Sequence, residues 1–136
     1  MKTLRFKKFL IFFGLTGVSI YGIGFLEKLS TNEDFEIRTD QFDFGIIPKG
    51  ELVEAYFDLK SIGNQSIQLI GAEIPCSCTT SSGFPLTINS GSWYRFVLRI
   101  DTKNLELGKF REQVELFSTS HSRPRQRLLV IGDIVK

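Results

Sequence analysis

The chain has 136 residues, 24% of them charged, and a formal net charge of +2. That excess belongs to the leader, because residues 30–136 carry 12 basic and 14 acidic side chains, 12 − 14 = −2. The balance excludes the concentrated basic face that nucleic-acid binding requires. A single small domain of this size needs no staple, so the two cysteines must be explained some other way.

Residues 1–8, MKTLRFKK, are basic. Phe9 to Leu26 is then an uncharged run, about 27 Å long as a helix and close to the hydrocarbon thickness of a bilayer. Four positive charges precede it, and by the positive-inside rule they keep the N-terminus in the cytoplasm and export the rest. Two readings compete, a cleaved signal peptide and an uncleaved signal anchor. Gly22-Ile23-Gly24 would serve as a small-x-small cleavage site, but no Ala-x-Ala is present and the run is long for a signal core. Length favours the anchor, and the lack of a nearby Cys excludes a lipoprotein. The expected organisation is a basic segment and transmembrane signal anchor over 1–29, a spacer over 30–35, and one domain over 36–136. The expected location is the cell membrane, single-pass, with the C-terminal domain on the periplasmic or extracellular side.

From Glu36 onward the pattern is β. Ile37 to Phe44 opens it, with a turn near Gly45 and another at Pro48-Lys49-Gly50. In Glu51 to Lys60, Val53, Ala55, Phe57 and Leu59 alternate with polar residues, the period of a strand with one buried face. Ser66 to Ile74 resumes a strand after a hairpin-like connection. Phe84 to Ile88 predicts a short strand. Ser92 to Asp101 is the cleanest, with Tyr94, Phe96, Leu98 and Ile100 on one face. Lys109 to Ser118 puts Phe110, Val114 and Leu116 on one face, and Gln126 to Val135 closes the chain. About seven strands in about 100 residues, with no amphipathic helix, predict an antiparallel immunoglobulin-like β-sandwich.

Laid out in this order, the residues resemble a bacterial family catalogued as domain of unknown function 1573. The matching elements are Phe42-Asp43-Phe44-Gly45, Pro48-Lys49-Gly50-Glu51, the Gly63-Asn64 turn, Cys76-Ser77-Cys78-Thr79, and Ser90-Gly91 before the strand ending at Asp101-Thr102. The likeness covers roughly residues 36–134. It implies an exported immunoglobulin-like sandwich similar to binding or scaffolding modules, and it implies no activity. The family pattern has Gly between the cysteines, where this chain has Ser77.

Cys76 and Cys78 admit three readings. Residues i and i+2 lie within disulfide reach, and an exported site is oxidising. A three-residue loop gains only about 1.6 kcal/mol from chain entropy, so a bridge there serves local rigidity or redox lability better than global stability. Two thiolates also chelate Cu(I) or supply half of a Zn(II) site, although His121 is the only His and Met1 the only Met. Redox catalysis lacks the C-x-x-C spacing, a helix, and any Lys or Arg within eight residues. Thr79 and Thr80 read as hydrogen-bonding loop residues.

His121, Arg123, Arg125 and Arg127 suit an anionic headgroup patch, but read more simply as a charged hairpin tip. Trp93 is the aromatic expected to be half exposed and to contact a partner. No Ser-His-Asp set, P-loop, HExxH or GxGxxG is present. The expectation is a non-enzymatic envelope module whose recognition loop is Pro75, Cys76, Ser77, Cys78, Thr79 and Thr80, with an unnamed envelope protein as partner and no nucleic acid. The rival is copper-binding or thiol-redox chemistry at the same cysteines. A chaperone-like sandwich that lends an edge strand comes third.

Overall fold

Alternation of apolar and polar residues, broken by Gly, Pro and Asn turns, dictates nine strands in the computed structural model, which describes residues 34–136. They are β1 (Phe35–Ile37), β2 (Gln41–Pro48), β3 (Leu52–Ser61), β4 (Ile67–Glu73), β5 (Thr79–Ser81), β6 (Leu86–Ile88), β7 (Trp93–Asp101), β8 (Gly108–Ser118) and β9 (Arg125–Val135). No helix occurs among the described residues. The Phe9–Leu26 span and the first residues of the spacer lie outside them.

Two sheets form, ordered β1-β3-β7-β5 and β2-β9-β8-β4-β6. Between them lies one core. Phe35, Phe57 and Phe96 are its largest fully buried side chains, surrounded by Leu59, Leu69, Leu98, Ile100, Leu116 and Leu128. Every inward position expected on β3 and three of the four on β7 are buried, because period two leaves a strand one face to hide.

The structure departs from the sequence reading at five places. Ile37 to Phe44 is not one strand: β1 pairs with β3 in one sheet, while β2 crosses to the other and pairs with β9. That second pairing is parallel, so the sandwich is not wholly antiparallel. Gly45 does not end a strand. It is a bulge within β2, at φ 71°, with its N–H donated to Asp43 Oδ1 at 2.8 Å and the register shifting between Asp43 and Ile46. Phe35, placed in the polar spacer, is fully buried and begins the first strand.

The fifth departure bears on function. Thr79–Ser81 form β5, which pairs antiparallel with β7 through Thr79–Ile100, Thr80–Arg99 and Ser81–Leu98. The chain therefore leaves one sheet at the end of β4, joins the other as β5, and returns as β6. The cysteines sit on the first of these crossings.

Two buried hydroxyls hold the sandwich ends. Thr102 Oγ1 donates to the Glu51 carbonyl at 2.7 Å and accepts the Gly50 N–H at 2.9 Å, closing the β2–β3 turn. At the other end Ser118 Oγ donates to the Arg123 carbonyl at 2.8 Å.

Candidate functional site

β4 ends because Pro75 has no N–H to give a ladder, and the chain turns away from β8. Cys76 to Thr79 make a tight turn, with the Thr79 N–H donated to the Cys76 carbonyl at 3.1 Å. Beyond it, the Asp101 N–H donates to the Cys78 carbonyl at 2.9 Å and docks the turn on the end of β7. Within the turn Cys76 and Cys78 are joined by a disulfide, their Cα atoms 5.1 Å apart. The Cys78 N–H also donates to Cys76 Sγ at 3.2 Å.

Where β4 departs, the side chain of Glu112 fills the gap. Glu112 lies on the inward phase of β8 and is only 5% exposed. Its Oε1 accepts the Cys76 N–H at 3.2 Å, and its Oε2 accepts the Thr79 hydroxyl at 2.6 Å. A carboxylate buried without partners is costly, and these two donors supply its partners. Among the described residues no Lys or Arg forms an ion pair with it. Thr79 Oγ1 in turn stands 3.5 Å from Cys78 Sγ. Glu112, Thr79 and the disulfide thus form one connected set that spans both sheets.

The sequence reading did not single out Glu112, although a signal was there. Phe110, Val114 and Leu116 mark the inward phase of β8, and Glu112 is the one charged residue on it. An acid on the apolar phase of a strand is a polar group with an unnamed partner.

The six residues assigned to a recognition loop divide. Pro75, Ser77 and Thr80 are exposed, and the cysteines are half-buried. Thr79 is 6% exposed and bonded to Glu112, so it supports the loop from below and offers nothing to a partner. Outside the turn lies an open concavity of about 600 Å³, lined by Leu52, Cys76, Ser77, Cys78, Arg99 and Asp101. The fold brings Arg99 there, a cation distant in sequence, and pairs it with Glu54 at 2.9 Å. Leu52 is 62% exposed.

Trp93 is at the far end of the same sheet, on its outer face. It is 45% exposed and has two cations over its ring, Arg38 at 4.5 Å and Lys60 at 5.5 Å from the ring centre. It has no likeness to a buried sandwich Trp. Nearby, hydrogen bonds from Arg95 hold the Asp58 carboxyl below its ordinary range, with the charges of Arg95 and Arg38 adding to the effect against partial desolvation. The Asp34 carboxyl is also lowered, first by the Ser122 hydroxyl that donates to it. His121 and Arg123 are exposed in the β8–β9 loop, and Arg125 and Arg127 are exposed on β9. Arg125 lies 5.5 Å over Phe117, the arrangement of a charged hairpin tip.

Of the sheet edges, β1, β5 and β6 are three residues long, and β2 is broken by its bulge. Short or bulged edges are poor templates for another strand.

The match to a family model runs from residue 35 to residue 134, over the whole sandwich, and the model is that of Protein of unknown function (DUF1573). The chain belongs to the DUF1573 family. No curated protein matches it by sequence. Among solved structures, a protein of unknown function from Porphyromonas gingivalis W83 superposes with a TM-score of 0.67 at 14% identity. That alignment covers 79% of this chain and 50% of the other, so the chain spans about half the length of that relative. The PapD-like domain 7 of human CEP192 gives 0.60 at 12% identity, over 89% of this chain and 99% of that domain. The periplasmic chaperone SfaE gives 0.55 at 10% identity, over 76% of this chain and 58% of the chaperone. At these identities the likeness is one of fold. This DUF1573 sandwich shares its fold with the PapD-like domain 7 of CEP192 and with part of SfaE.

Proposed function

We propose that this DUF1573 chain is a membrane-anchored, exported, non-enzymatic binding or scaffolding module of the cell envelope. It presents the bridged turn Pro75–Thr80 and its concavity to a protein partner. The observation that carries this reading is the polarity of the sandwich. The chain reaches the domain at Asp34, where the Asp34 carbonyl accepts the Ile62 N–H and its carboxylate takes the Ser122 hydroxyl. The cysteine turn docks on Asp101, which pairs with Leu52 at the other end of β3. At about 3.3 Å per residue the ten residues of β3 separate the two ends by about 30 Å. A chain that enters the domain at Asp34 thus carries the turn at the opposite end of the sandwich from its point of attachment. Loops at one end of a sandwich are where such folds carry recognition.

The copper reading uses the same two sulfurs, and in the bridged form they offer no thiolate. Among the described residues no group of three His, Cys, Asp or Glu side chains stands ready to hold a metal. Copper(I) would need the bridge opened first, and it would then be two-coordinate.

Site-directed photocrosslinking in cells tests the proposal. A photoreactive residue at Ser77 should trap a discrete envelope protein, and one at Asn89, at the opposite end, should not. Equal trapping at both positions, or none at Ser77, would overturn the reading. Replacing both cysteines by Ser should weaken the Ser77 adduct.

A further inference from the structure

The geometry points to a second property of the same turn: the Cys76–Cys78 bridge is a thiol–disulfide switch, and Glu112 acts through Thr79 as its buried proton acceptor. The inference goes beyond partner binding and stands whether or not the turn binds a protein. Three observations carry it. The bridge lies at an open concavity, within reach of an incoming thiol. The two sulfurs are not equivalent, since Cys76 Sγ accepts the Cys78 N–H at 3.2 Å while Cys78 Sγ faces Thr79 Oγ1 at 3.5 Å. And the Thr79 hydroxyl donates to Glu112 Oε2 at 2.6 Å, which leaves its lone pairs free to accept a proton from a Cys78 thiol. A loop anchor alone needs an acceptor for the Cys76 N–H, which a neutral amide supplies. A carboxylate linked to the sulfur through a hydroxyl supplies a proton relay as well.

The steps balance as follows. In closing, the Cys76 thiolate attacks the disulfide of an oxidised partner, protein or small molecule, so that a mixed disulfide joins Cys76 Sγ to one partner sulfur while the other leaves as a thiolate. The Cys78 thiol gives its proton to Thr79 Oγ1 as the Thr79 proton passes to Glu112. The Cys78 thiolate then attacks Cys76 Sγ, the bridge forms, the partner sulfur leaves as a thiolate, and Glu112 releases the proton through solvent to that thiolate, which restores the carboxylate of the bridged form. Opening is the reverse. A partner thiol gives its proton by way of solvent to Glu112, its thiolate attacks Cys76 Sγ, and Cys78 leaves and takes that proton through Thr79. The partner's second thiol, as thiolate, then attacks its own sulfur in the mixed disulfide and releases Cys76. Two electrons pass from the dithiol to the bridge, and the Cys78 N–H stabilises the Cys76 thiolate.

The surroundings of Glu112 leave this role to it. On the inward phase, Ile100 of β7, Val130 of β9, and Phe110 and Val114 of β8 itself carry no charge. The charged groups that line the concavity, Arg99 and Asp101, are exposed. Glu73 and Glu115 pair with each other farther along β4 and β8.

The test uses the full chain in detergent, reduced with dithiothreitol, freed of the reductant and then closed with oxidised glutathione, and free thiols are counted by alkylation and mass from pH 6 to pH 9. Glu112→Gln keeps an oxygen acceptor for the Cys76 N–H but takes no proton. It should slow closing by about tenfold or more at pH 7, with the gap shrinking near the ordinary thiol pKa of about 8.5. Thr79→Val should be slowed likewise, and Thr79→Ser should keep the parent rate. The proposal is overturned by a parent bridge that dithiothreitol does not open, or by parent rates in Glu112→Gln. A uniform slowing with an unchanged pH profile also overturns it, because that marks an anchor alone. Should Glu112→Gln fail to fold, the Thr79→Val and Thr79→Ser pair decides. The photocrosslinking at Ser77 is read separately, so failure of one reading is distinguishable from failure of the other.

Discussion

Gly132 is the position where one added methyl group should cost most. It stands on β9 beside β2, and a Cβ built there would lie 2.0, 2.2 and 2.3 Å from three carbons of the Phe44 ring. Carbon atoms rest at about 3.5–4.0 Å, so the ring must retreat by about 1.5 Å. Behind it lies Phe110, 5.7 Å away between ring centres. If the ring stays, overpacking costs about 1–3 kcal/mol. If it swings to solvent, the lost burial of a half-buried Phe costs about the same. Gly132→Ala should therefore lose about 1–3 kcal/mol. The assay is equilibrium unfolding in urea followed by circular dichroism, in which the midpoint should fall by about 1–2 M at constant slope. The same substitution in a Phe44→Ala background should cost less than about 0.5 kcal/mol, since the clashing ring is gone. Equal losses in the two backgrounds would refute the argument, and so would a parent background that tolerates alanine.

Three further outcomes are expected. Thr102→Val removes the acceptor of the Gly50 N–H and the donor to the Glu51 carbonyl, and should cost about 0.5–1.5 kcal/mol in the same unfolding assay. Replacing Cys76 and Cys78 by Ser should lower global stability by no more than about 1.6 kcal/mol, while hydrogen exchange quickens at the Thr79 and Asp101 amides that the turn holds. A larger global loss would mean that the bridge supports the core. Because Asp58 titrates lower when folded than when unfolded, its contribution is present above the ordinary carboxylate pKa of about 3.9 and is lost as pH falls through the depressed value. Asp58→Asn should be less stable than the parent at neutral pH and converge with it in acid. A gap that is constant with pH would exclude the Arg95 pairing as its cause.

The strand-forming runs were legible because their signal is local. The alternation in Leu52–Ser61 and Trp93–Asp101 needs no knowledge of what covers the apolar face. The same logic missed β5, because three residues, Thr79–Ser81, carry too little pattern to register. It joined β1 to β2 because the jump between sheets at residues 38–40 leaves no mark on hydropathy. It could not give the parallel pairing of β2 with β9, since strand direction follows from the path of the chain around the sandwich.

The candidate site shows the same division. The sequence by itself determined that two thiols stand two residues apart, close enough to bridge, and that an acid interrupts the apolar phase of β8. Only the tertiary structure decided that these are one site. Cys76 and Glu112 are separated by 36 residues, and the hydrogen bond between them exists because β4 leaves the sheet at Pro75 and opens a gap beside β8. Arg99 reaches the same turn because β5 pairs with β7. Covalent spacing is written in the chain, whereas contacts across a sandwich are set by which strands the core forces to be neighbours.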